Sequence, residues 1–309
     1  MLDYGISSEP VSDWLAMPTL PGDWQGLALS QAQVDQFDQE GFLSGVDVLT
    51  TGQVESLCSE LGTLMNPSPE QRELFYEFHA DESDHSDQVL FHALGAWRVT
   101  PRFHDILWAP QLRVASFQLL GGVGVRFLHD QLFCKPAGCG GAVAWHQDYS
   151  YWTWTQPMAH VTCWIALDDV DEENGCLWYV PGSHLWPDLP ITGLTGDMDA
   201  VRSRLNPEQL EAFERRVPVV LRAGQAAFHH PRTMHGSYQN RSKRQRRATL
   251  VNTMRDGVRS AIGDDPRDLR RFFKAPPDGA LFAGTYFPLL FEPGLMDATT
   301  PLAARSAWD

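Results

Sequence analysis

Two segments near the N-terminus show apolar residues at helical spacing, and both begin with capping signals. The first predicted helix starts at Ser30, where Gln33 occupies the capping-box position, and Gly41 can end it. The second begins near Thr50, again with a glutamine three residues later. Its apolar face holds Val54, Leu57, Cys58, Leu61 and Leu64. We interpret both as packing helices.

From about residue 114 the pattern changes to short runs of β-branched and aromatic residues, which Gly, Pro, Asn and Asp separate. This rhythm is typical of an antiparallel sandwich or barrel. The predicted strands are 115–120, 125–135, 161–167, 177–180, 218–221 and 248–253. A helix over 208–216 interrupts them, because Asn206 can cap it and Pro207 suits its first position.

The flanking segments are less regular. Residues 1–29 have no clear period and look like an arm over the surface, and residues 66–113 mix helical signals with a polar run. Residues 257–309 are rich in Pro, Phe and Leu, so they either wrap the core or meet another subunit. The length of 309 residues allows one large domain or two small ones.

Composition narrows the class of protein. Hydrophobic residues make up 43% of the chain and charged residues 20%, so a substantial core is possible. The net charge is −15, which argues against nucleic acid as the main partner because phosphate binding needs a basic surface. The same charge argues against an anionic membrane surface, and no apolar run is long enough to span a bilayer.

Cysteine usage and the N-terminus bear on the compartment. The five cysteines are an odd number without a Cys-x-x-Cys pair, which indicates reduced thiols and no disulfide framework. They are Cys58, Cys134, Cys139, Cys163 and Cys176. The first ten residues lack the basic start and apolar core of a signal peptide. We therefore expect a cytoplasmic protein.

Candidate metal ligands come from three His-x-Asp triplets, which begin at His79, His85 and His146. On an extended segment this spacing puts both side chains on the same face. The first two triplets lie in a polar run without alternation, which we interpret as a solvated loop. The third, His146 with Asp148, lies between apolar and aromatic stretches. A second histidine from elsewhere would complete the 2-His-1-carboxylate site of non-haem Fe(II) oxygenases.

That second histidine has to come from further along the chain, at position 160, 184, 229, 230 or 235. Most histidines bind no metal. His235 is favoured because Arg246 and Arg247 follow it. A dicarboxylate co-substrate needs a fixed guanidinium that grips its far carboxylate at two points.

At this point the sequence resembles the phytanoyl-CoA dioxygenase family of Fe(II)/2-oxoglutarate oxygenases. The matching pieces are Gly41-Phe42-Leu43, Trp145-His146-Gln147-Asp148, the run over 164–184 that ends in Pro181-Gly182-Ser183-His184, and His235-Gly236-Ser237 with Asn240 and Arg246. One motif alone would be weak, but their order and spacing are specific. Together they cover roughly residues 30–256.

The resemblance implies a fold. It is mainly β with α additions: a double-stranded β-helix, or jelly roll, flanked by helices. We therefore expect one oxygenase domain over 1–309. It would comprise an N-terminal arm and packing helices over 1–113, a jelly-roll core over 114–256 with a helical insertion near 206–216, and a C-terminal wrap over 257–309.

The resemblance also implies a ligand set. Fe(II) is held by His146, Asp148 and His235, 2-oxoglutarate chelates the metal, and O2 is the second co-substrate. An arginine binds the far carboxylate of 2-oxoglutarate, and the family spacing selects Arg246. Arg247 would point to the opposite face of a strand, so the two should not be interchangeable.

Further contacts follow from matching positions. Gln131, Thr162 and Trp164 match places where the family contacts 2-oxoglutarate, although all three could instead be strand packing. Tyr149 and Trp152 follow the metal motif and are the favoured substrate contacts, although aromatic residues there could equally be core. His184 is not assigned to metal.

The implied reaction is hydroxylation of an unactivated C–H bond in a small metabolite or natural-product intermediate, with formation of succinate and CO2. Desaturation or cyclisation by the same class of enzyme stays open, as does the oligomeric state. A halogenase would need a small residue in place of Asp148. A zinc hydrolase would have no reason to keep Arg246. A non-catalytic binding protein of the same fold is the alternative from another class.

Overall fold

The computed structural model describes residues 2–195, 197–263, 274–304 and 308. The helices are α1 Pro21–Gln25, α2 Gln31–Glu40, α3 Thr51–Met65, α4 Pro69–Arg72, α5 Pro101–Asp105, α6 Pro110–Leu119 and α7 Pro207–Glu214. The strands are β1 Phe42–Asp47, β2 Glu77–His79, β3 Phe91–Leu94, β4 Val125–Lys135, β5 Val143–His146, β6 Thr155–Gln156, β7 His160–Ala166, β8 Leu177–Tyr179, β9 Val217–Val219, β10 Gln225–His229, β11 His235–Ser237, β12 Arg246–Arg255, β13 Arg259–Ser260 and β14 Leu289–Phe291. Among the described residues, no helix has the length and apolar character needed to cross a membrane.

Two antiparallel sheets form the body of the protein. The larger runs in the order β1-β10-β7-β12-β4-β3-β2, and β14 also pairs with β4. The smaller runs β5-β11-β8-β9. Apolar side chains of the two sheets meet in one cluster, which includes Trp164 and Leu250 from the larger and Leu177 and Tyr179 from the smaller. This is the jelly roll, so the predicted fold class is confirmed.

The register of the larger sheet decides which side chains point towards the smaller one. On β12, Arg246 and Leu250 share a face because side chains alternate along a strand. Leu250 stands opposite Gln131 of β4 and opposite Trp164 of β7. Arg246 stands opposite Lys135 at the end of β4. This inner face carries the polar and aromatic residues of the site.

The outer face of the larger sheet buries the helices. The hydrophobic cluster that contains residues of α2, α3 and α6 also contains Val161, Cys163 and Ile165 of β7 and Val251 of β12. The shared members include Phe37, Leu57, Leu61, Leu112, Val114, Leu132, Cys163, Ile165 and Val251. The helices therefore hold one face of the sheet rigid while the other faces the cavity.

The helix predictions are confirmed at their caps. Ser30 accepts a hydrogen bond from the Gln33 amide before α2, and Gly41 ends that helix at φ +82°. Thr50 caps α3 in the same way. Asn206 caps α7 by accepting from Gln209. Short-range capping needs no tertiary contact, which explains why sequence alone locates these ends.

The predicted strand over 115–120 is wrong, because these residues belong to α6 and its C-cap. Pro110 occupies the first helical position, and the whole stretch from Leu112 to Leu119 is buried. A helix buried on all sides has no polar face, so its apolar run shows no period and reads like a buried strand. The predicted strand over 125–135 is β4 with the same bounds, and the other four overlap β7, β8, β9 and β12.

Strand content also extends beyond the predicted core over 114–256. The larger sheet takes β1, β2 and β3 from the preceding segment and β14 from the tail. The polar run over 79–87 is only partly a solvated loop, since His79 ends β2 and stands opposite His92 of β3. His85 and Asp87 are exposed, as predicted.

The described part of the tail packs on the chain itself. The indole Nε1 of Trp308 donates to the Leu119 carbonyl at 3.1 Å, and its ring stacks on Phe37 and His230. This favours wrapping over a subunit contact for that part of the tail. The tail prediction for 264–273, 305–307 and 309 lies outside the described residues.

Two glycines give a matched test of the fold. Gly41 has φ +82°, and a Cβ there would lie 2.5 Å from Nδ1 of the buried His184 ring. We expect Gly41→Ala to lower the free energy of unfolding by at least about 1–2 kcal/mol. Gly62 lies in α3 with open space around it, so Gly62→Ala should raise that energy by about 0.5–1 kcal/mol. Urea unfolding of both variants measures this, and a Gly41→Ala protein as stable as wild type would contradict it.

Candidate metal centre

Three side chains converge between the sheets. His146 ends β5, Asp148 opens a 3-10 turn, and His235 begins β11. The antiparallel pairing of β5 with β11 sets His235 opposite His146, and their ring centroids are 4.2 Å apart. The Nε2 atoms of His146 and His235 lie 3.4 Å and 3.5 Å from Asp148 Oδ1. This spacing suits a divalent metal held by all three residues.

Backbone carbonyls orient both rings. The Nδ1 of His146 lies 2.8 Å from the Ala144 carbonyl oxygen, and the Nδ1 of His235 lies 2.9 Å from that of Thr233. A carbonyl oxygen only accepts, so both Nδ1 atoms donate. The Nε2 lone pairs therefore face the point where the ligands converge, as in histidines that bind metals.

The second oxygen of Asp148 is held from behind. Thr162 Oγ1 and His229 Nε2 each lie 3.1 Å from Asp148 Oδ2. The Tyr179 hydroxyl donates in turn to Nδ1 of His229 at 2.8 Å. These contacts leave Oδ1 free to face the two rings. Sequence reasoning did not single out His229 or Tyr179, because both reach Asp148 through long-range strand pairing.

Electrostatics favour the metal-binding protonation states. Burial raises the pKa of Asp148, but the neighbouring imidazoles of His235, His146 and His229 outweigh burial and hold that pKa well below its ordinary value. Burial, and then repulsion from His146, hold the pKa of His235 well below its ordinary value. An ionised carboxylate and a neutral imidazole are the forms that coordinate a metal.

A buried guanidinium lies in the same cavity. Arg246 is 1% exposed, and its Nη2 donates to Ser237 Oγ at 3.0 Å. Its Nε and Nη1 have no hydrogen-bond partner among the described residues. Burial lowers the pKa of Arg246 to about 10, so the group is still protonated at neutral pH. A buried cation with unused donors calls for an anion, and its fork fits a carboxylate.

The neighbouring arginine is already paired. The side chain of Arg247 donates from Nη2 and Nε to the carboxylate of Asp168 at 2.6 Å and 2.9 Å. This pair lies on the other face of β12, away from the cavity lining. The two arginines therefore occupy different environments, as strand alternation predicts.

Ser237 fixes the position of Arg246. Its hydroxyl donates to the Gly175 carbonyl at 2.9 Å, which leaves two lone pairs to accept. Arg246 takes one, and the buried Lys135 takes the other at 2.6 Å. Lys135 also donates to the carbonyls of Ser237 and Tyr238. Sequence reasoning did not identify Lys135, whose role depends on the pairing of β4 with β12.

The cavity between the sheets has a volume of about 520 Å³. This lies within the range of small-molecule sites. Its wall comprises Glu77, Glu82, Leu90, His92, Leu94, Gln131, Phe133, Val143, His146, Asp148, Tyr151, Trp152, Trp164, Leu177, Leu194, Thr195, His229, His235, Gly236, Ser237, Arg246 and Leu250.

The remaining predicted site residues fall in different places. Gln131, Trp164 and Trp152 line the cavity, and Gln131 Oε1 lies 3.1 Å from His92 Nε2. Thr162 holds Asp148 without reaching the cavity wall.

Tyr149 is not brought to this cavity. Its hydroxyl donates to the Thr155 carbonyl at 3.0 Å, and its ring lines a second cavity of about 560 Å³. Tyr151 lines the first cavity instead. In a 3-10 turn the side chains at i and i+3 eclipse, which puts Tyr151 on the side of Asp148 and turns Tyr149 away.

Comparison with known families agrees with this geometry. The family model described as "Phytanoyl-CoA dioxygenase (PhyH)" matches residues 37–248, more than half of the chain. The match includes the three converging ligands and Arg246.

Among curated proteins, the mouse (Mus musculus) "Phytanoyl-CoA dioxygenase domain-containing protein 1" is 34% identical over 167 residues, which is 53% of this chain and 55% of that protein. The Arabidopsis thaliana "Phytanoyl-CoA dioxygenase" is 33% identical over 130 residues, which is 41% of this chain and 44% of that protein. The chain spans about half the length of the curated relatives that it matches.

Among solved structures, a "non-heme alpha ketoglutarate dependent carbocyclase SnoK from nogalamycin biosynthesis" is similar at a TM-score of 0.68 and 24% identity, over 89% of this chain and 100% of that one. The "epimerase SnoN in complex with Fe3+, alpha ketoglutarate and nogalamycin RO" has the same TM-score and identity, over 84% and 98%. At this identity the likeness supports the fold alone.

A pair of threonines tests the support behind Asp148. Thr162→Val removes a hydroxyl that contacts the carboxylate, so we expect Mn(II) affinity to fall about ten- to a hundredfold. Thr249 is equally buried in the same sheet, and its hydroxyl has no partner among the described residues. Thr249→Val should therefore leave the affinity unchanged. Calorimetric titration with Mn(II) measures both, and equal affinities in the two variants would contradict this account.

Proposed function

The chain belongs to the phytanoyl-CoA dioxygenase family, and on that premise we propose that it is an Fe(II)/2-oxoglutarate-dependent dioxygenase. Its proposed reaction is hydroxylation of an unactivated C–H bond in a small-molecule metabolite or natural-product intermediate. One observation carries the proposal: three converging metal donors and a buried, partly unpartnered guanidinium share a single cavity.

The residues present fit the metal. His146, Asp148 and His235 would hold Fe(II) through two Nε2 atoms and one carboxylate oxygen, and such a triad leaves open positions. Iron bound there, with 2-oxoglutarate and O2, would supply the oxidation of a C–H bond coupled to formation of succinate and CO2. The protein keeps the ligands in place through Thr162 and His229.

The residues also fit the co-substrate. The open Nε or Nη1 donor of Arg246, together with the second N–H of Nη2, can grip the far carboxylate of a dicarboxylate. Ser237 fixes the guanidinium, and Trp164 lies beside it with the guanidinium carbon 5.5 Å from the ring centroid. Burial of this pair excludes water, which strengthens the charge-assisted hydrogen bonds.

The rest of the cavity orients the substrate. Tyr151, Trp152, Phe133 and Leu250 give it apolar and aromatic walls. Such walls hold one C–H bond near the metal by shape, and they keep other groups of the protein away from the oxidant. Desaturation or cyclisation would use the same ligands, so the product mass separates these outcomes.

The two arginines give a direct test of the co-substrate site. Arg246→Ala removes the charged partner of 2-oxoglutarate, so binding should weaken by about 1.5–3 kcal/mol, roughly ten- to a hundredfold. Arg247→Ala removes only a pair with Asp168 and should bind nearly as wild type. Anaerobic titration of the Mn(II)-loaded proteins with 2-oxoglutarate measures both. A larger loss of 2-oxoglutarate affinity in Arg247→Ala would mean that Arg247, and not Arg246, binds the far carboxylate.

The reaction outcome separates a hydroxylase from a halogenase. Because Asp148 occupies the position that a halide would need, wild-type protein should give an oxygenated product even in excess chloride. Asp148→Gly should lose most of this activity, since it removes a charged ligand. Mass spectrometry of reactions under 18O2 should find 18O in succinate and a gain of one oxygen in the product. A chlorinated wild-type product would overturn the hydroxylase proposal.

A further inference from the structure

The end of the cavity formed by β2 and β3 carries a cluster of carboxylates and imidazoles, which we call the acidic end: Glu77, His79, Glu82 and His92. Glu77 Oε1 lies 2.7 Å from His79 Nε2, and Glu82 Oε2 lies 2.8 Å from His92 Nδ1. Ligand atoms of Glu77, His79 and Glu82 all lie within 4.8 Å of one another. Both glutamates and His92 belong to the wall of the same cavity as the metal centre.

We propose that the acidic end binds a positively charged group of the substrate, a protonated or quaternary amine. This inference rests on the proposed function, because it assigns the substrate class of that same cavity. It begins with the charges on the described wall, where the acidic groups are Asp148, Glu77 and Glu82.

Two of the charged groups already have partners in the proposed reaction. Asp148 faces the metal, and Arg246 faces the dicarboxylate. Arg246 is also the independent sign that this cavity receives a ligand, since it is 1% exposed and its Nε and Nη1 have no partner among the described residues. Glu77 and Glu82 are then left without a cationic partner from Lys or Arg on the described wall.

The nearby histidines do not remove this need. A neutral imidazole donates one N–H to a carboxylate and leaves its charge in place. Glu77 and Glu82 have side-chain exposures of 35% and 23%, so their charges are screened less than those of surface groups. A cation placed between the two carboxylates would lower the repulsion between them.

The cavity therefore carries opposite charges at its two ends. Arg246 lies on β12 and Glu77 on β2, three strands away, which is about 14 Å measured across the strands at about 4.8 Å per strand. Leu94, Phe133 and Trp152 also line the cavity. Such a wall suits an apolar body, and the aromatic faces can also attract a cation.

The same arrangement discriminates against anions. A dicarboxylate is drawn to Arg246 and repelled by the two glutamates, so each co-reactant has its own end of the cavity. Like-charge contacts suppress the wrong partner. A substrate with a negatively charged tail at the β2 end, such as a polyphosphate ester, would be disfavoured.

The experiment compares ligands that differ in charge alone. The Mn(II)- and 2-oxoglutarate-loaded protein is titrated anaerobically, by calorimetry, with octylammonium, octanoate and 1-octanol. We expect octylammonium to bind at least about tenfold more tightly than octanoate, with octanol between them. Equal affinities, or no binding of octylammonium, would overturn the proposal.

Variants locate the preference. The Glu77→Gln/Glu82→Gln double variant keeps shape and removes both charges, so the preference for octylammonium should disappear; each single variant should lose part of it. Glu55→Gln is the matched control, because Glu55 is exposed on α3 away from the cavity. A preference that survives in the double variant would overturn the proposal.

Two further readouts separate the alternatives. A second equivalent of Mn(II) that binds wild type and is lost in the double variant would assign the cluster to a metal and overturn the amine proposal. The calorimetry needs no turnover. A charge preference in a protein that, when loaded with Fe(II) in air, forms no succinate from 2-oxoglutarate with any amine present would overturn the dioxygenase reaction alone. Succinate formation without a charge preference would overturn the acidic end alone.

Discussion

The antiparallel pairing of β5 with β11 is the constraint on which the site depends. These strands are short and far apart in the sequence, yet their register sets His235 opposite His146. Directly opposed residues in such a pair have Cβ atoms about 4.5–5.5 Å apart, which is close enough for two imidazoles to share one ion. A slip by one residue would turn one ring to the other face of the sheet. The backbone pairing thus fixes the positions of the two rings. The Gln147 side-chain amide donates to the Arg232 carbonyl, and this bond and the contacts to Asp148 Oδ2 add to that arrangement.

The second organising feature is the cost of burying cations. Arg246 and Lys135 are cross-strand neighbours, and both are almost fully buried. Burial first, and repulsion from Arg246 second, hold the pKa of Lys135 well below its ordinary value. The chain satisfies the Lys135 amine with three acceptors and leaves two donors of Arg246 open. The protein thus stores an unfavourable desolvation that an incoming anion relieves, which is a physical basis for selective binding.

Much of the fold could be predicted from local signals, and the failures have identifiable causes. Capping residues located α2, α3 and α7, and alternation with turn residues located β4. The strand predicted over 115–120 is a helix, because complete burial removes the period that distinguishes the two. The strands β1, β5, β10 and β11 were not predicted, and they are defined by the strands with which they pair.

The candidate site likewise contains residues that could be predicted from the sequence and residues that could not. Spacing and motif order pointed to the converging triad and to Arg246, and the structure brings these together. His229 was one of five candidate histidines and Lys135 was not identified, because the roles of both arise from register between distant strands. His79 and Glu82 of the acidic end were predicted to lie in a solvated loop, since nothing in the run over 79–87 reveals that β2 pairs with β3.

The position of β1 has a consequence for synthesis of the chain. β1 lies at the edge of the larger sheet and pairs with β10, which is translated much later. At about 5–20 residues per second, the ribosome needs roughly 10–40 s to make the intervening chain. During that time the unpaired edge of β1, with Phe42 and Leu43, is available to other nascent strands. Protection of this segment by a chaperone, or rapid docking of α2 and α3 over it, would then influence the yield of folded protein.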